Sequence, residues 1–146
     1  MKPHFAQDIS YITNLNLSNI LFINDAFFTK NQISSYEFVG NCDALITDYS
    51  SIYYDFMLCD KPIALVWEDI EEYKQNPGFA IGVEKYLDGG EQVYSLDELN
   101  LFVKHVAEGK DVLKEQRNAI CAMTNHSTDG KNSARVVDFI IEKAKL

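Results

Sequence analysis

The stretch Cys42–Phe56, CDALITDYSSIYYDF, places an acid, a tyrosine and two serines where an apolar run gives way to an amphipathic one. ALITD reads as a buried strand. Beyond it Ile52, Phe56 and Cys59 recur at i, i+4 and i+7, the stripe of a helix. Ligands collect at such seams in α/β sheets, because a helix N-terminus offers unpaired N–H groups and a partial positive charge. Ser50 and Ser51 could add hydroxyls to those N–H groups and so cradle a phosphate. Asp48 at the strand tip could bond a ribose hydroxyl, a backbone N–H or a loop, and Asp55 lies deeper in the helix. Spacing alone favours the plainer alternative, a capped helix start, since serine is common there.

Two further groups invite the same question. His4, in KPHF, stands at what would be another strand end, where it could donate to a phosphate oxygen; by itself it is an ordinary surface histidine near a terminus. Trp67, Glu68 and Asp69 follow the apolar run KPIALVW, with Tyr73 one turn later. An acid and an aromatic there could hold a base or a ribose. Equally, Asp69 could cap IEEYK while Trp67 packs in the core. His105 and His126 receive no role. Asp129 with Asn132 or Ser133 reads as a loop leading into a capped terminal helix.

The elements that must position these residues alternate. SNILFIND (Ser18–Asp25), ALITD and KPIALVW read as buried strands, and VYS as a brief edge strand. SSYEFVGNC, SSIYYDFMLC and EDIEEYKQ read as short helices. Ser95 three residues before Glu98 is a capping-box pattern, opening a helix that closes at Gly109. A charged helix follows, roughly 111–123, and then a last one with Val136, Phe139, Ile140 and Lys143 on one side. Pro77, Gly78, Gly89 and Gly90 mark the long loop between. Apolar strands alternating with helices imply an α/β, Rossmann-like fold with a parallel sheet flanked by helices. The chain opens directly at a turn, so the first strand–helix unit of such a sheet is expected to be missing.

The totals narrow the function classes. The 146 residues suit a single domain, 1–146, with a real core. A net charge of -9 argues against general nucleic-acid binding, which relies on Lys and Arg against phosphates, but leaves room for one local phosphate site. The three cysteines, Cys42, Cys59 and Cys121, are widely spaced and lack metal-ligand or disulfide patterns; no metal and no cofactor is expected. No apolar run approaches the roughly 20 residues that cross a bilayer, and MKPHFAQD lacks a signal-peptide core, so a cytoplasmic chain without direct membrane insertion is expected.

Together these stretches are more specific than any one. CDALITDYSSIYYDFMLCDKPIALVWEDIEEYKQNPGF resembles the CDP-glycerol glycerophosphotransferase family of teichoic-acid synthesis, with its LITDYSS block, its KPI strand, and its acid followed by Tyr and Gly-Phe. KPH near the start and DGKNSARVVDFI near the end extend the likeness. The resemblance implies the C-terminal half of a GT-B fold, which holds a CDP-activated donor such as CDP-glycerol. His4 would contact the donor pyrophosphate, Ser50 and Ser51 would bind phosphate, Asp48 and Asp55 would shape the pocket, and Asp69 would lie on the nucleotide side. The catalytic base, and the polyol-phosphate polymer acceptor, would belong to an N-terminal domain outside this sequence, so that no catalytic residue is assigned here and the chain alone is expected to be inactive. The whole enzyme would work peripherally at the inner face of the membrane. One departure stands out: HFAQDIS carries no cation after its histidine, where the family often has basic residues. A nucleotide-sugar transferase half and a non-catalytic interaction domain remain the alternatives, and an uncovered sheet edge would favour self-association.

Overall fold

The computed structural model describes residues 19–80 and 82–144, which fall into two compact units divided after Asn41. In the first, α1 (Asp25–Asn31) and α2 (Ser35–Gly40) each start at a side-chain cap: Asn24 accepts from the Phe27 N–H, and Ser34 from the Glu37 N–H. Phe27, Phe28 and Phe38 meet edge to face, with centroids 5.6–6.0 Å apart. The expected strand Ser18–Asp25 is not observed. Residues 19–24 join no strand, and Asn24 instead opens α1. A strand exists only through pairing, whereas an Asn-Asp pair can start a helix locally.

The second unit is an α/β body. Strands β1 (Leu45–Thr47), β2 (Ile63–Val66) and β3 (Glu91–Val93) form a parallel sheet in that order, with Leu45 opposite Ile63 and Ala64 opposite Glu91. The expected edge strand VYS is shifted: β3 covers Glu91–Val93 and shares only Val93 with it, while Tyr94 leads to Ser95, the cap of the next helix. Helix α3 (Ile52–Phe56) runs into a 3-10 turn (Met57–Cys59), and α4 (Ile70–Gln75) follows β2. A second 3-10 turn (Glu84–Tyr86) precedes β3. Helices α5 (Leu96–Ala107), α6 (Lys114–Thr124) and α7 (Asn132–Ala144) complete the chain.

Successive residues of a strand point to opposite faces. Ala64 and Val93 pack with Phe102 of α5, a cluster extended by Ala44, Leu99 and Val106. Phe102 is 1% exposed, a burial that stabilises by about 2 kcal/mol. Ser95 caps α5, while Glu98 Oε2 takes the Tyr94 N–H at 2.7 Å and the Ser95 hydroxyl at 3.0 Å, the expected capping pattern. In the first turns after the seam the buried side chains are Tyr53, Phe56 and Met57; Ile52 and Cys59 are only half-buried, so the helix is rotated from the expected stripe. On α7, Val136, Phe139 and Ile140 stay exposed.

Two residues with buried polar side chains, Tyr53 and Arg117, meet at Gly89 just before β3. The Tyr53 hydroxyl donates to the Tyr86 carbonyl and accepts from the Gly89 N–H, both at 2.9 Å. A Cβ on Gly89 would lie 2.8 Å from that hydroxyl and 3.2 Å from Arg117 Cα, so glycine is required there. Arg117, 1% exposed, grips Asp111 with both terminal nitrogens, and Asp60 lies 3.9 Å away. Lys114 holds Asp60 at 2.9 Å.

Tyr53→Phe should lower unfolding stability by about 1–3 kcal/mol in urea titration, because it leaves a buried N–H and C=O unpaired. Gly89→Ala should cost a similar amount, on the order of 1–3 kcal/mol, by overpacking. The Lys114 hydrogen bond holds the Asp60 carboxyl below its ordinary pKa. Its small stabilisation is therefore present above the unfolded-state value and lost as pH falls from about 4 through the folded value. Carboxyl NMR titration of Lys114→Met should show Asp60 returning toward the ordinary range; an unchanged midpoint would contradict the pairing.

Candidate functional site

Parallel pairing puts the C-terminal ends of β1 and β2 side by side, so the residues after each strand share one sheet edge. Asp48 and Tyr49 follow β1 as a bend, and Ser50 and Ser51 lead into α3. The Tyr53 N–H reaches the Ser50 carbonyl at 3.2 Å and the Tyr54 N–H the Ser51 carbonyl at 3.0 Å, which starts the helix through backbone bonds alone. Ser51, at the N-cap, makes no side-chain capping bond, and Ser50 Oγ has only a 3.5 Å approach from the Ile52 N–H. The seam serines thus differ from Ser34 and Ser95, which accept capping bonds at 3.0 and 3.4 Å. Both are exposed, as are Asp48 and, within the first turn of α3, Asp55.

After β2, Asp69 occupies the N-cap position of α4 without capping it. Its Oδ1 instead accepts the Tyr49 hydroxyl at 2.6 Å, a link across 20 residues. Burial, and then this bond to Asp69, push the Tyr49 hydroxyl pKa up, so it stays protonated and donating. The Tyr49 ring stacks on Tyr73 with centroids 3.7 Å apart and planes at 19°, and Phe79 closes on both from the side. Asp69 is therefore tied to the seam through Tyr49, the residue between Asp48 and the serines. Sequence reasoning missed Tyr49: no local spacing pairs it with residues 20 and 24 positions on. Trp67 is half-buried rather than a core residue, and meets Tyr94 edge to face.

His4 lies outside the described residues. At the far end of the chain, Arg135 forks onto Asp129 at 2.8 and 2.6 Å and reaches Asn132 Oδ1 at 2.9 Å. Asp129 also accepts the Lys131 N–H, so the expected cap residues build one charged lock at the start of α7. Among the described residues no group of His, Cys, Asp or Glu is arranged to hold a metal ion, and no helix is long and apolar enough to cross a membrane.

The family described as CDP-glycerol:poly(glycerophosphate) glycerophosphotransferase matches residues 2–142. A teichoic acid ribitol-phosphate primase from Bacillus spizizenii is 32% identical over 109 residues, which cover 73% of this chain but only 26% of the primase. The chain therefore spans a minor part of the length of that relative. With an α/β parallel sheet, a seam built on TDYSS and a family match over nearly its whole length, the chain belongs to the CDP-glycerol:poly(glycerophosphate) glycerophosphotransferase family.

Proposed function

We propose that this chain is the donor-binding part of a transferase that moves glycerol phosphate, or a related polyol phosphate, from a CDP-activated donor to a hydroxyl of a teichoic-acid-type or capsule-type polymer. The observation that carries the reading is the pair of seam serines, exposed at the C-terminal sheet edge, where Ser51 makes no side-chain capping bond and Ser50 Oγ accepts only a long 3.5 Å bond from the Ile52 N–H, leaving both O–H groups to donate. A hydroxyl left out of its helix is available to donate to a phosphate oxygen. Helix α3 has only five residues, so its dipole adds little, and hydroxyls with the turn N–H groups are the main donors.

In this reading the pyrophosphate lies along Ser50 and Ser51, with Asp48 beside the ribose and Asp55 limiting the pocket. His4 would donate to the pyrophosphate from the N-terminal side. The acceptor hydroxyl attacks the β-phosphorus; a new P–O bond forms, the bond to the bridging oxygen breaks, and CMP leaves with that electron pair. The hydroxyl proton passes to a base outside this chain. Hydrogen bonds from the seam stabilise charge growing on the departing CMP, which is how fixed donors lower such barriers. The base and the polymer-binding surface are assigned to the remainder of a longer enzyme acting at the inner membrane face, a reading supported by the much greater length of the related primase.

Titration of the labelled chain with CMP and with CDP-glycerol should produce saturable NMR shifts at the Ser50 and Ser51 amides. Ser50→Ala combined with Ser51→Ala should weaken binding about tenfold or more, the loss of two charge-assisted hydrogen bonds. Binding of UDP in place of cytidine nucleotides would move the chain to nucleotide-sugar transfer. A folded chain that binds no nucleotide would overturn donor binding altogether.

A further inference from the structure

Asp69 stands where a helix cap would stand, yet its carboxylate is turned to Tyr49. The 2.6 Å separation is that of a hydroxyl donating to a charged oxygen, stronger than a neutral hydrogen bond. The Tyr49 ring is held from a second direction by the 3.7 Å stack on Tyr73 of α4. The chain after α4 is shaped to complete this clamp. Gly78, at a φ of 80°, donates its N–H to the Tyr73 carbonyl at 2.7 Å and turns the next residue, Phe79, onto both tyrosines. A Cβ at Gly78 would stand 3.1 Å from the Lys74 carbonyl oxygen, so the turn has little room for any other residue. One side chain in the middle of the seam is thus fixed at its tip by the loop after β2 and at its ring by α4 and the turn beyond.

We propose that Tyr49 is a positioning residue of the nucleotide edge, latched to Asp69 so that the turn carrying Asp48, Ser50 and Ser51 is held in shape before a ligand arrives. The inference rests on the nucleotide-binding reading above. It also reassigns Asp69, whose Oδ1 is spent on orienting Tyr49 rather than on a ribose or base. Ordering a loop in advance removes that cost from binding, so the latch acts on affinity without touching the donor.

The test uses the full chain and Tyr49→Phe, which keeps the ring stack and removes only the hydroxyl. Exchange of the Tyr53 and Tyr54 amides, which close the seam turn, should quicken about three- to tenfold, in the range of one partly exposed charge-assisted hydrogen bond. Exchange at Ala64 and Leu65 of β2 should stay at the wild-type rate, a contrast that general destabilisation would not produce. Asp69→Ala should give the same pattern, and the double variant no more than either single one. CMP affinity should fall by a similar factor. A wild-type chain that binds CMP, with Tyr49→Phe matching it in both affinity and seam exchange, would overturn the latch. Additive effects in the double variant would also overturn it. A wild-type chain that binds no CMP would instead overturn the nucleotide reading and the positioning role with it.

Discussion

Parallel pairing of three short strands is the constraint on which the rest of the second unit depends. Strands of three or four residues contribute few hydrogen bonds, and a parallel pair must be joined by a crossover that covers the sheet. Each crossover here brings a helix and a returning loop, and each strand therefore ends on the same edge. Tyr49 after β1 and Asp69 after β2 meet for this reason, although 20 residues separate them. A single antiparallel reversal would send one of these groups to the opposite edge.

The two edges divide the work. At the entry edge, the chain spends buried and half-buried polar groups on holding itself together: Tyr53 between Tyr86 and Gly89, Arg117 on Asp111, and Lys61 Nζ on the Cys42 carbonyl at 2.6 Å. Such groups are costly to leave unpaired, so these bonds define which helix face turns inward and where β3 begins. At the exit edge, the serines and Asp48 are exposed, and the Tyr49 hydroxyl donates to Asp69 at 2.6 Å.

Local chemistry made much of this legible. The capped start of α5 could be read from Ser95 and Glu98, because a capping box is closed within one turn. β1 and β2 could be read as strands from their uninterrupted apolar runs; β2 is buried as expected, but β1, also expected to be buried, leaves Ile46 48% exposed. Asn24 shows the opposite case: an apolar run before it looked like a strand, but pairing is a property of neighbours and not of the run. Spacing puts Ile52, Phe56 and Cys59 on the inward face of the seam helix; of these Phe56 is buried, and Tyr53 joins it because its hydroxyl finds Tyr86 and Gly89. A tyrosine's burial depends on whether a partner waits for its oxygen.

For the candidate site, the sequence by itself determined the residue types, their order and the family to which they belong: TDYSS at a strand end, an acid and an aromatic after the next strand, and a charged Asp-Gly motif before the last helix. It also determined the alternation from which a parallel sheet follows. Only the tertiary structure decided what those residues do to one another. It left Ser50 and Ser51 outside the capping role, took Asp69 away from its own helix, and gave it to Tyr49. The physical reason is distance along the chain. Caps and turns are decided within about four residues, whereas the Tyr49 clamp closes only when β1 and β2 already lie side by side.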